Sequence, residues 1–136
     1  MATVATPSAV KLVEDAYEVL LKNGNLDAFC DYFDDETVMH EATSLPYGGT
    51  YKGREAIKAG IQNVFGYFSA FGYDVHQITS GGDYVIAYGT FSATSAKSGK
   101  SVSFPLAEVW KIVDGRVKLV EPVYFDTKAV ADLLAD

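Results

Sequence analysis

The stretch EVWKIVDGRVKLVEPVYFD, residues 108–126, decides how this chain folds. Asp114-Gly115 separates two runs rich in Val, Ile, Leu and aromatic residues. An Asp-Gly pair is favoured where a two-residue turn needs positive φ at both central positions. The pattern predicts a hairpin, with Ser101–Val113 turning into Arg116–Phe125. Working backwards, AKSGK at 96–100 and SGGD at 80–83 bound two more runs, Phe71–Thr79 and Tyr84–Ser95. The second half of the chain therefore reads as a four-stranded antiparallel meander.

The faces of these strands carry more information than their lengths. In Tyr84–Phe91, Val85, Ala87 and Phe91 alternate with Tyr84, Ile86 and Tyr88, so neither face is polar. A sheet that is apolar on both sides needs cover on both sides. Helices can cover one, and a second copy of the chain could cover the other, which gives the expectation of a homodimer through the convex sheet face. Gly89, Pro105 and Pro122 within the strands predict bulges or bends and a strongly curved sheet.

The first half is helical by periodicity. Ala9, Leu12, Val13, Ala16, Tyr17 and Leu20 share one face of a helix expected over Ser8–Lys22, with Ser8 as its cap and Gly24 as its stop. Asn25 caps a second helix, Leu26–Phe33. Thr37–Thr43 reads as a strand, with Val38, His40 and Ala42 on one face and Met39, Glu41 and Thr43 on the other. A loop, SLPYGGTYKG, leads to a third helix over Gly53–Phe68, and Thr127–Leu134 makes a last short one. The class is α+β: a cone-shaped, curved antiparallel sheet with helices packed on its concave face, in a single domain over residues 1–136. Such a curved sheet leaves a pocket under its helices.

Composition narrows the function. The 136 residues carry a net charge of −7, which argues against nucleic acid and anionic membrane surfaces. No apolar run reaches the roughly 20 residues of a spanning helix, and the first residues lack the pattern of a secretion signal. A single cysteine, Cys30, fits a reducing cytoplasm. Metal binding needs clustered ligands; His40 and His76 lie far apart in sequence and no CxxC is present, so neither metal nor cofactor is expected.

The element order resembles the cone fold shared by nuclear transport factor 2, ketosteroid isomerase and the SnoaL-type polyketide cyclases. YEVLLKNGNLDAFCDYFDDETVMHEA (17–42) is similar to the isomerase pattern of Tyr, Gly seven residues on, Leu-Asp, then Asp-Asp-x-Thr-Val-x-Asp. LPYGGTYKGREAI (45–57) is similar to the SnoaL-like loop and helix start, and EVWKIVDGRVKLVEPVYFD to the last two strands of the family. The resemblance implies three roles. Tyr17 falls where the isomerase has its oxyanion-hole tyrosine, His40 where it has its aspartate base, and Glu108 near its protonated aspartate donor. The chain departs from the isomerase in carrying His for Asp and Glu for Asp, which leaves proton-transfer chemistry open without implying steroid isomerisation itself.

Each candidate has a second reading. His40 is either a general base or a packed imidazole bonded to a tyrosine or a carbonyl. Glu108 shares a face with Val102, Phe104, Leu106, Trp110 and Ile112, so it is either a carboxyl raised in pKa by burial or half of an ion pair. Tyr17 is a donor or plain core. Tyr47, Trp110, Tyr124 and Asp126 are candidate ligand contacts, with Asp126 equally suited to capping the last helix. Three functions stay in play: a cofactor-independent isomerase or cyclase acting on a small, mostly apolar carbonyl compound, a ligand-binding module without turnover, and a protein-association domain.

Overall fold

The computed structural model describes residues 7–135, with side chains from residue 9 onward. Helix α1 spans Pro7–Tyr17 and continues as a π-helical turn over Glu18–Lys22. Ser8 thus sits inside the first turn, and its side chain lies outside the described residues. Helix α2 is Leu26–Cys30, shorter than its apolar run suggests. The side chain of Asn25 accepts the Ala28 N–H at 3.0 Å and so caps it. Helix α3 is Arg54–Gly66 and α4 is Thr127–Leu134.

Six strands form one sheet: β1 Val38–Glu41, β2 Gly49–Lys52, β3 Phe68–Gly81, β4 Tyr84–Ser95, β5 Ser101–Val113 and β6 Arg116–Tyr124, in the order β2-β1-β6-β5-β4-β3. The meander β3 to β6 is antiparallel throughout. Asp114 (φ 53°) and Gly115 (φ 74°) both adopt positive φ in the β5–β6 turn, as the Asp-Gly pair requires. Two features depart from the expectation. Gly49–Lys52, expected as loop, is an edge strand paired with β1, and β1 joins the meander by a parallel pairing with β6.

The sheet curls at one place in particular. Between Val75 and Gln77 the β3–β4 register slips by one residue, opposite Gly89. A Cβ on Gly89 would lie 2.1 Å from the Asp74 carbonyl oxygen, so only glycine lets β3 bend this closely over β4. Pro105 and Pro122 stay in regular register; the other slips are at Phe68/Ala70 in β3 and at Lys111/Ile112 in β5. The concave face packs Val85, Ala87, Phe91, Leu106 and Trp110 against Val13 and Ala16 of α1, Phe29 of α2, and Ile57, Ile61 and Val64 of α3 in one core.

Candidate functional site

The alternation that fills this core also places polar groups in it. On β5, Phe104, Leu106, Glu108 and Trp110 point inward, opposite Phe91, Gly89, Ala87 and Val85 of β4. Glu108 therefore reaches under the helices with apolar neighbours on both sides. It retains accessible surface although it lies deep in the fold, because it lines a cavity. The cavity has a volume of about 70 Å³ and is enclosed by α1, α2, α3 and the concave sheet face. Phe29, Phe33, Ile61, Phe91 and Leu106 are part of its apolar wall, while Leu21 and Phe71, both partly exposed, mark its rim.

Two hydrogen-bonded chains end in this cavity. Trp110 Nε1–H donates to the Tyr17 hydroxyl at 2.9 Å, and that hydroxyl donates to Glu108 Oε1 at 2.6 Å. Opposite, the Tyr124 hydroxyl donates to Glu41 Oε1 at 2.9 Å, and Tyr47 and Tyr124 share a hydroxyl–hydroxyl bond of 3.1 Å. Tyr73, whose ring meets that of Tyr17 edge-on at 5.8 Å, anchors its hydroxyl on the carbonyls of Ala87 and Leu106. Each buried phenol has a partner, as burial of a polar group demands.

Burial governs the protonation of both acids. It pushes Glu41 up to about 8, against the opposing Tyr124 hydroxyl and with a smaller contribution from the charge of Glu108. It raises Glu108 likewise, with the Tyr17 hydroxyl opposing. Tyr17 is itself raised, first by burial and then by the neighbouring Glu108 charge. A carboxyl poised near neutral pH can both take and give a proton.

The expected residues divide into three groups. Tyr17, Glu108 and Tyr124 line the cavity. Trp110 and Tyr47 are buried one step behind it, holding Tyr17 and Tyr124. His40 and Asp126 lie outside. Asp126 accepts the Ala129 N–H at 2.9 Å and caps α4. His40 points to the convex face, where its Nδ1 meets Glu121 Oε2 at 2.9 Å and both side chains stay about two-fifths exposed.

This corrects the expected facing of β1. Alternation holds, but Met39 and Glu41 take the inner side. The parallel pairing sets Met39 beside Val120, which faces inward opposite Trp110, and buried Thr37 donates its hydroxyl to the Val117 carbonyl at 2.7 Å. Glu41 is thus the site residue that sequence reasoning missed. The signal lay in β6, whose inward Val120 and Pro122 fix the facing of its neighbour; β1 alone offers an apolar and a polar residue on each side.

A curled, unclosed sheet with helices in its hollow and an enclosed interior defines the cone-shaped fold of the NTF2-like and ketosteroid isomerase-like proteins. The model of the SnoaL-like domain matches residues 13–120, and the chain belongs to that family. Among solved structures, it is similar to an NTF2-like protein of unknown function from Burkholderia pseudomallei (TM-score 0.87, 20% identity, covering 96% of this chain and 100% of that one). It is also similar to TerC co-crystallised with polyporic acid (TM-score 0.80, 17% identity, 92% and 96% covered). A third is a protein of ketosteroid isomerase-like fold from Catenulispora acidiphila in complex with trimethylamine (TM-score 0.74, 16% identity, 95% and 93% covered). A comparison with curated proteins yields no match. No helix among the described residues is long and apolar enough to cross a membrane.

Proposed function

We propose that the chain binds a small, mostly apolar carbonyl compound in the cone cavity and moves a proton on it without a cofactor, as an isomerase or cyclase does. The observation that carries this reading is the convergence of Glu41, Glu108 and Tyr17 on one enclosed, largely apolar space. Glu41, raised to about 8, is the base that takes a proton from the carbon next to the carbonyl. Glu108, whose carboxyl pKa burial raises, offers a hydrogen bond to the oxygen as charge develops there, and Tyr17, whose single proton goes to Glu108 Oε1, holds that carboxyl in place. That two proteins of this fold are described with a small organic molecule supports only the capacity of such a cone to hold one. We place the protein in the cytoplasm, where a buried free thiol such as Cys30 stays reduced. We further propose a homodimer through the convex face, because Ile86, Tyr88 and Val123 are exposed there.

The test is hydrogen–deuterium exchange next to the carbonyl of 2-butanone in D₂O, followed by NMR. Exchange should rise with pH toward 8 as Glu41 ionises. Glu41→Gln should slow it by at least about 100-fold, and His40→Ala should leave it unchanged. Exchange no faster than in buffer rejects proton transfer and leaves ligand binding without turnover. Equal rates for wild type and Glu41→Gln reject Glu41 as the base.

A further inference from the structure

The cavity contains two carboxyl groups and no cation. None of its lining residues is Lys, Arg or His. Each carboxyl receives one hydrogen bond, on Oε1, from Tyr17 or from Tyr124. The second oxygen of each has no partner among the described residues. No side-chain oxygen without a partner is sealed from accessible space there, so these two oxygens remain reachable. Around them stand the rings of Phe29, Phe33, Phe65, Phe71, Tyr73 and Phe91.

We infer that the molecule held in this cavity carries a protonated amine on a small apolar body, with the N–H groups directed at the Glu41 and Glu108 carboxyls and the charge against the aromatic rings. This rests on the cavity being the ligand site, and it is independent of whether a proton is moved there. An ammonium brings up to three donors, enough for both open carboxyl oxygens. Ring faces attract a desolvated cation as well. A ketone has no donor to offer the acids and can only accept from them. An anion would meet two acids with no counter-charge. One carboxyl serving as counter-ion leaves the other free for acid–base work, so an amine-bearing carbonyl compound satisfies both readings. The volume of about 70 Å³ corresponds to roughly two water volumes. A body of about four heavy atoms exceeds that volume, so part of it stands in the mouth beside Leu21 and Phe71.

The probes are isopropylamine, 2-propanol, acetone and acetate, which share one branched four-atom skeleton. Binding is read by NMR from the indole N–H of Trp110, the only tryptophan, which is bonded to Tyr17 at the cavity wall. At pH 8 isopropylamine should bind at least tenfold more tightly than 2-propanol or acetone, and acetate should not bind. Glu41 shares the cavity with Glu108, Tyr17, Tyr73 and Tyr124, and Tyr47 and Tyr51 stand near it on the other side; none of these supplies a positive charge. Amine binding must therefore expel a proton from the acids. The amine affinity should climb as pH rises toward 8, by up to about tenfold per unit, and then level off; that of 2-propanol should not climb. Glu41→Gln and Glu108→Gln should each cut the preference for amine over 2-propanol at least tenfold. Should one variant fail to fold, the wild-type comparison decides alone. If 2-propanol or acetone matches the amine, or acetate binds, the charge inference is wrong while the cavity remains a ligand site. If none of the four binds, both readings fall together.

Discussion

His40 and Glu41 show how one peptide unit separates two roles. Their side chains leave β1 in opposite directions, one to a solvent-facing contact with Glu121 and the other into an apolar hollow. The difference reaches the stability of the protein through linkage. The ordinary pKa of 4.5 of the Glu41 carboxyl rises to about 8 in the fold, so between these values the folded chain binds more protons than the unfolded one. Stability must then fall as pH climbs through that window, by roughly 4 kcal/mol at most. Glu41→Gln removes this titration and keeps an amide that can accept from Tyr124. Its melting temperature should lie near that of the wild type at pH 4.5 and roughly 10 °C above it at pH 8. Thermal melts at the two pH values measure the gap, and an equal gap at both would show that burial does not hold Glu41 neutral.

At the scale of elements, the sequence was most legible where local chemistry decides geometry. Asp114-Gly115 announces its turn, and the four meander strands follow from it. The amphipathic stripes of α1 and α3 are equally local. It was least legible where the partner decides. Gly49–Lys52 becomes a strand only because β1 lies beside it, and its two leading glycines and short length hide that fate. The facing of β1 depends on β6, about 80 residues away. The widening of α1 into a π-helical turn at Glu18–Lys22 also had no visible sequence signal; it brings Leu20 and Leu21 together at the cavity. Gly89 lies between these cases. A glycine inside a strand signals a bend, but the reason for it, the Asp74 carbonyl at 2.1 Å from a would-be Cβ, belongs to the folded cone. Gly89→Ala must push β3 away from β4 by more than an ångström. A cost of about 3 kcal/mol is expected, as for overpacked cores, together with a loosened cavity wall at Tyr73. A denaturant midpoint unchanged by this substitution would mean that the curl does not depend on the close approach.

For the whole molecule, the two faces of the sheet present opposite situations. The concave one is covered by helices, and its few polar groups are the carboxyls and phenols gathered at the cavity. On the convex one, Ile86 lies opposite Val109, and Tyr88 opposite Ala107, which lies opposite Val123 in turn, giving a continuous apolar surface across β4, β5 and β6. The His40–Glu121 pair sits at its border, since Glu121 is opposite Val109. A carboxylate that already holds a hydrogen-bond partner is easier to bring against a second copy than an unpartnered one. Self-association of this face must bury on the order of 1,200 Å² or more to persist at micromolar concentration. Light scattering on the eluting protein should then give twice the chain mass of 14.7 kDa. Tyr88→Lys, which sets a charge in the middle of the patch, should return the protein to a monomer without changing isopropylamine binding. His40→Ala should weaken the dimer while leaving exchange on 2-butanone intact, because it strands the Glu121 charge on the convex face and touches nothing in the cavity. A wild-type mass of one chain at tens of micromolar would reject this face as a self-interface and return His40 to an ordinary surface pair.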